Sequence, residues 1–275
     1  MPELPEVETV VRTLRPRIIG RKIQRVTLHR DDIVQPRDID LRKLLTNRAI
    51  TDLSRRGKRI VFTLNNNQRF YIHLGMSGRL TIETDEKPLE KHTHLVIDLT
   101  PKDSASQLRF KDPRRFGGIF WLGADDSGGT MGPEPLEVRL NVLIEKLART
   151  KRAIKNVLLD QTVLAGIGNI YADEALFEAG IHPLARADKL NSEQARRLHA
   201  AIKKILRRAI KHRGSTLRDY VDAEGGKGAF QNLHRVYDRA DLPCRTCKTP
   251  ISRIVLGGRS THFCPTCQPK KAKRK

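Results

Sequence analysis

The hydrophobic period of this chain changes once along its length, and that change points to a two-part α+β architecture. From residue 22 to about 123, short runs rich in β-branched and aromatic residues recur at 24–28, 59–64, 69–74, 94–99 and 118–122. Runs of this length and spacing predict an antiparallel sandwich or barrel. Beyond residue 135 the period is helical, clearest over 192–213, where Leu198, Ile202, Ile205, Leu206 and Ala209 form one stripe behind a Ser192 N-cap. Between the two regimes, residues 124–135 concentrate Asp, Ser, Gly and Pro without apolar periodicity, the composition of a linker. An N-terminal helix over 5–19 precedes the strands, with Val7, Val10, Val11, Leu14 and Ile18 on one face; Pro16 is expected to kink or end it and Gly20 to stop it. The predicted order is therefore a helix and β-rich domain over 2–123, a linker over 124–135, a helical domain over 136–242, a cysteine module over 243–269 and a basic tail over 270–275. No internal repeat is present.

Charge narrows the partner. Lys and Arg number 53 against 31 Asp and Glu, a net charge of +22, and so large an excess calls for a polyanion. A membrane surface is disfavoured, because no apolar run approaches the length of a membrane span and no amphipathic helix carries an aromatic-rich face. Nucleic acid is the expected partner. Arg196, Arg197, Lys203, Lys204, Arg207, Arg208, Lys211 and Arg213 decorate the 192–213 helix, for which a solvated face is a simpler reading than direct DNA contact. The start lacks the basic and apolar stretches of a secretory signal, and the four cysteines form two close pairs rather than a disulfide framework. An intracellular, reducing compartment is the expectation.

Three motifs carry chemistry. Cys244, Cys247, Cys264 and Cys267 form two C-x2-C pairs sixteen residues apart, a spacing that brings four thiolates to one tetrahedral zinc. Residues 253–255 and 260–263 would form a hairpin across Gly257 and Gly258, with Arg259 near its tip. Four thiolate ligands leave no open coordination position, so the zinc is expected to be structural and catalysis lies elsewhere. The turn Ala165-Gly166-Ile167-Gly168-Asn169 opens a helix whose backbone amides and dipole suit a phosphate, with Lys155 among the surrounding basic residues; a simple helix-packing joint explains the glycines equally well. At the N-terminus, Pro2 follows the initiator methionine directly. Removal of Met1 would expose a secondary amine able to attack an aldehyde-level sugar carbon and form a cationic iminium, with Glu3 and Glu6 as nearby proton carriers. An acidic first helical turn complementing its dipole is the alternative reading of the same residues.

Together these segments resemble the formamidopyrimidine-DNA glycosylases, bacterial enzymes that excise oxidised purines such as 8-oxoguanine. The resemblance spans the chain: PELPEVETV at the start, Lys58 in RRGKRIVF, HLGMSGRL at 73–80, DPRRFGG at 112–118, LLDQTVLAGIGNIYADEALF at 158–177, STLRDYV at 215–221, and the cysteine module. It implies an N-terminal helix with an antiparallel β-sandwich, then a helix-two-turn-helix domain ending in a zinc hairpin, with DNA in the cleft between the lobes. It further implies that Pro2 attacks C1′ while Glu3 transfers a proton, that the Pro2 iminium drives β and δ elimination, and that the enzyme acts as a cytoplasmic monomer. By the same resemblance Glu6 and Glu174 support the site. Lys58 belongs with the catalytic group and, with His73, Asn169 and Arg259, faces the strand around the lesion; Lys155 is a weaker contact. Met76, Arg114 and Phe116 fill the gap left by the everted nucleotide.

The sequence departs from the family pattern at several places. Thr93 stands where aspartate is common, Ala229 occupies a usually aromatic place in the 217–230 segment that covers the everted base, and Asp238 and Asp241 replace two customary glycines. None of these removes a catalytic group. An endonuclease VIII-type enzyme for oxidised pyrimidines is the related alternative, disfavoured by the PELPEVETV start and DPRRFG segment. A noncatalytic DNA-binding factor is the alternative from another class, disfavoured by intact Pro2, Glu3 and Lys58.

Overall fold

The computed structural model describes residues 2–102, 104–124 and 129–270. Met1, residues 125–128 of the expected linker and residues 271–275 of the expected tail lie outside them. The chain divides into two compact units. One comprises the residues up to Thr130 together with His212–Gln231, and the other comprises Met131–Lys211 with the residues from Asn232 onward.

The first unit opens with α1 (Leu4–Ile18), followed by β1 (Ile23–Leu28), β2 (Val34–Gln35), the short α2 (Leu41–Leu45), β3 (Ile50–Arg56), β4 (Arg59–Leu64), β5 (Arg69–His73), β6 (Arg79–Glu83), β7 (Thr93–Leu99), β8 (Gln107–Lys111) and β9 (Gly118–Gly123). Two sheets form, of order β1-β7-β8-β6 and β2-β9-β5-β4-β3. All pairings are antiparallel except the two-residue β2, which runs parallel to β9. Alternation drives the packing: on β4, Ile60, Phe62 and Leu64 turn inward while their neighbours stay half-exposed. Phe62 stacks on Phe70 of β5 at 4.5 Å, and the apolar stripe of α1 joins both sheets in one core. Four strands escaped the sequence reading: β2, β3, β6 and β8. Polar residues interrupt them, as in SRR on β3 and the arginine within QLRFK on β8, so their local hydrophobic signal is weak. Pro16 does not end α1. It sits in the last turn, where the lost amide donor removes a single helical bond.

The second unit contains α3 (Leu140–Ala148), α4 (Ile154–Leu159), α5 (Asn169–Ala179), α6 (Ser192–Lys211), and the hairpin β10 (Ser252–Leu256) and β11 (Arg259–Phe263). Gly168 caps α5, and Gly166 holds a left-handed φ of +94° that a side chain would disfavour. Gln161 fixes this turn, its amide accepting from Gly166 N at 2.8 Å and donating to Ile167 O at 2.9 Å. The cap of α6 is Asn191 rather than Ser192. Asn191 Oδ1 accepts from Gln194 N at 2.8 Å and Gln194 Oε1 accepts from Asn191 N at 3.1 Å, a reciprocal pair one residue earlier than the sequence suggested. Gly257 and Gly258 take φ of +57° and +72°, the left-handed pair that a two-residue hairpin turn requires. Asp238 and Asp241 adopt φ of +56° and +64°. The backbone there keeps the conformation glycine would hold, and aspartate is among the few residues that tolerate it.

Candidate active site and nucleic-acid interface

Pro2 is buried immediately before α1, and Glu3, 2% exposed, forms the N-cap. Pro5 falls in the first turn, where its missing amide hydrogen costs nothing. Glu6 is spent on structure. Its Oε2 accepts from Glu3 N at 2.8 Å and its Oε1 from Ser215 N at 2.7 Å, so one carboxylate ties the helix start to the 212–231 segment. Gly214 is obligatory beside it, because a Cβ there would lie 2.6 Å from Glu6 Oε1. Tyr220 Oη donates to Glu6 O at 3.2 Å, and burial followed by the nearby Glu6 charge pushes the phenol well above its usual range. This grip explains why residues 212–231 belong with the N-terminal unit, which the expected contiguous helical stretch 136–242 does not anticipate.

Lys58 lies in the two-residue turn joining β3 to β4, where Gly57 holds φ of +59°. It is 8% exposed. Arg55 connects this turn to α1: its Nε donates to Glu8 Oε2 at 2.9 Å and its Nη1 to Gly57 O at 3.1 Å. Burial works to raise the Glu8 carboxyl, but hydrogen bonds from Arg12 and Arg55 outweigh it and hold the group below its usual value. The helix bearing Pro2 and Glu3 is thereby fixed against the turn bearing Lys58. His73, paired across the sheet with Arg59, is kept neutral: burial, then the charges of Lys58 and Arg59, lower its pKa. Its Nδ1 accepts from Gly75 N at 3.2 Å, which leaves Nε2–H as the donor for an incoming group.

Met76, Arg114 and Phe116 are presented together by two interlocked loops. Asp112, 1% exposed, is the lock: Oδ1 accepts from Ser77 Oγ at 2.6 Å and Oδ2 from Gly117 N at 2.7 Å. Gly75 lies so close to the second loop that a Cβ would meet Gly117 N and Phe116 C at 2.4 Å. On this rigid base Met76 and Phe116 stand 40% and 58% exposed, and the Arg114 guanidinium lies 5.1 Å above the Phe116 ring. Exposing that much apolar surface on hydrogen-bonded loops anchored by a buried aspartate suits insertion into a base stack. Sequence reasoning missed Asp112 as an organiser, although an aspartate before proline is a turn signal.

In the second unit, Asn169 begins α5, and its Nδ2 donates to Ser260 O at 2.9 Å. The adjacent Arg259, exposed at the hairpin turn, is thus held beside the positive end of α5. Lys155 does not share that exposure. It is fully buried, paired with Asp173 Oδ1 at 2.6 Å, and donates to Ser260 O at 2.8 Å and Thr261 Oγ1 at 2.9 Å. The expected DNA contact is therefore corrected: this cation has no surface to offer a phosphate and instead pins the hairpin to α4 and α5. Glu174 is also buried. Its carboxylate accepts from the amides of Arg235, Val236 and Tyr237 at 2.9–3.0 Å, shaping the approach to the cysteine module. Burial raises its pKa against those three donors.

His234, beside that amide nest, is held neutral by burial, its pKa lowered to about 4 against the opposing charge of Asp238, with Arg245 and Arg239 adding to the depression. Because the folded value lies below the unfolded one, the stability it contributes is complete above about pH 6.5 and is lost as pH falls through 4. Between pH 7 and 4, urea unfolding should show native protein losing about 3 kcal/mol more than His234→Phe, since each pKa unit is worth about 1.4 kcal/mol. Parallel acid limbs would contradict this account.

The sulfurs of Cys244, Cys247, Cys264 and Cys267 all lie within 4.8 Å of one another. Tetrahedral thiolates about 2.3 Å from a zinc stand about 3.8 Å apart, so the cluster fits such an ion. The Cys244–Cys267 and Cys247–Cys264 separations, 3.9 and 3.4 Å, bracket that value.

The fold and site define a class: a β-sandwich unit with an N-terminal proline helix and apolar loop tips, and a helical unit ending in a four-cysteine hairpin. Three family models cover these parts: the formamidopyrimidine-DNA glycosylase N-terminal domain over residues 1–119, the H2TH domain of the same glycosylases over 131–221, and a zinc finger found in FPG and IleRS over 241–270. The formamidopyrimidine-DNA glycosylases of Solibacter usitatus and Bacillus subtilis are 45% and 41% identical, each match spanning 98% of this chain and all of the relative. Among solved structures, the MutM (Fpg) protein of Thermus thermophilus matches with TM-score 0.88 at 39% identity, and a Lactococcus lactis Fpg bound to abasic-site DNA with 0.90 at 38%. Both matches cover 98% of this chain and all of the other. The chain belongs to the formamidopyrimidine-DNA glycosylase family.

Proposed function

We propose that the protein initiates base-excision repair of duplex DNA, releasing oxidised purines of the 8-oxoguanine and formamidopyrimidine type and then cutting the abasic strand. The observation that carries this reading is the buried Pro2-Glu3 start of α1, braced through Glu8 and Arg55 against the Lys58 turn. With Met1 removed, the Pro2 amine attacks C1′ while Glu3 supplies the proton for sugar opening and the base departs. The resulting iminium draws electrons from the C2′–H bond. Loss of the 3′ phosphate by β elimination and of the 5′ phosphate by δ elimination follows. Lys58 assists in the same region, and His73, Asn169 and Arg259 hold backbone phosphates, which position the strand without reading its bases. Met76, Arg114 and Phe116 occupy the vacated stack, offsetting an unstacking cost of a few kcal/mol.

Residues 2–123 together with 212–231 carry the chemistry, 136–211 the DNA-gripping helices, and 243–269 a structural zinc hairpin, joined by a linker over 124–135. Zinc closes the four-thiolate site and supports the Arg259 turn. No helix among the described residues is long and apolar enough to cross a membrane.

Borohydride added to protein and duplex containing 8-oxoguanine opposite cytosine tests the reading. A covalent adduct mapping to Pro2 is expected. Tight binding without adduct or strand cleavage, after Met1 removal is verified by mass, would instead indicate a noncatalytic binder, and activity confined to oxidised pyrimidines would indicate the endonuclease VIII type. Arg259→Ala should reduce the slope of log K against log salt by about 0.9, the loss of one phosphate contact. An unchanged slope would make the residue merely structural.

A further inference from the structure

The exposed face of α6 carries charge that its own unit answers only in part. Arg196, Arg197, Lys203, Lys204, Arg207, Arg208 and Lys211 all fall within about 140° of helix arc, taking 100° per residue. The buried stripe of Leu198, Ile202, Ile205 and Ala209 faces the opposite way. Glu193 answers Arg196 and Arg197, and Glu178 of α5 answers Lys204. Among the described residues, Lys203, Arg207, Arg208 and Lys211 have no acidic partner. These four stand at i, i+4 and i+3 spacings, where like charges repel and weaken a helix. A face kept only for solubility would interleave acids.

Within the second unit, placement separates this stripe from the Asn169 and Arg259 pair. α5 is buried on all sides, with α6 packed on it through one flank and β11 through another, where Asp173 receives the His262 amide at 2.9 Å. Among the described residues the hairpin that bears Arg259 bonds to α4 and α5, and no hydrogen bond or ion pair joins it to α6. The Arg197–Lys211 span is about 21 Å long at 1.5 Å per residue, a straight rod of positive charge suited to the regular phosphates of a second duplex.

We propose that this face binds a second, undamaged DNA duplex while the first is engaged, so that the protein passes directly from one segment to another. The inference rests on the reading that the protein works on duplex DNA. Holding four phosphates, the second site should weaken roughly a hundredfold between about 50 and 200 mM salt, at a slope of about 0.9 per contact.

Stopped-flow release of a labelled undamaged duplex, measured against rising concentrations of unlabelled duplex, tests it. Direct passage makes the release rate climb with competitor, whereas single-site binding leaves it constant. The combined Lys203→Gln, Arg207→Gln, Arg208→Gln and Lys211→Gln protein retains good helix formers and removes only repulsion, so it should fold. It should lose the competitor dependence and keep the native single-turnover rate on a short duplex bearing one lesion. A native release rate independent of competitor overturns the proposal, as does a dependence that survives in the variant or responds to RNA and not to duplex DNA. Failure of the repair reading would appear separately, as absence of base release in both proteins with the exchange result intact.

Discussion

Glu3→Gln is expected to bind lesion-containing duplex with native affinity and to release the base about 10²- to 10⁴-fold more slowly, the usual worth of a positioned proton donor. Glutamine preserves the shape of the side chain, and the Glu3 amide still donates to Glu6 Oε2, so the start of α1 is retained. Single-turnover base release, followed by chromatography, measures the chemical step. The same samples monitored by thermal unfolding separate the two readings of an acidic helix start. A carboxylate that only complements the helix dipole would cost a few tenths of a kcal/mol to about 1 kcal/mol of stability and leave turnover unchanged. Normal turnover would therefore end the proposed proton-transfer role, whatever the stability result. A preformed abasic site bypasses the glycosidic step, and elimination from it should be slowed less than base release.

The second large effect concerns stability. Lys155→Ala leaves Asp173 charged and buried, and removal of one partner from a buried pair costs about 3–5 kcal/mol. The donors to Ser260 O and Thr261 Oγ1 are lost with it, which frees β11 and the neighbouring Arg259 turn. Urea unfolding should register the cost, and DNA affinity should fall because the hairpin is no longer fixed to α4. A double-mutant cycle with Asp173→Asn should show coupling, since either single change strands the other group. A surface lysine touching phosphate would behave in the opposite way, with stability preserved and the salt slope reduced by about 0.9. That outcome would restore the direct contact that the burial of Lys155 excludes.

Legibility in the sequence followed the range of the interaction. The α1 stripe, the α6 stripe, the two-glycine hairpin turn and the cysteine pairs are local patterns, and each lies in the structure close to its expected place. Strands β3, β6 and β8 were not legible, because their partners and not their own alternation stabilise them. At the site, Pro2, Glu3, Met76, Arg114 and Phe116 could be singled out by motif. The groups that hold them could not: Asp112 reaches Ser77 across 35 residues, and Glu6 reaches Ser215 across 209. Asp238 and Asp241 looked like departures from a glycine pattern, yet their left-handed φ values keep the backbone path.

The sequence alone determined the class of partner through net charge and the metal-binding module through cysteine spacing. Each of these is a property of residue type and near-neighbour spacing. Only the tertiary structure decided what the ionisable residues are for. Lys155 and Arg259 are both basic and both near the hairpin, but one is fully buried against Asp173 and the other is exposed. Burial sets whether a charge must find a partner inside the protein or remains available to a phosphate, and burial is fixed by contacts over 100 residues apart, as between Lys155 and Ser260.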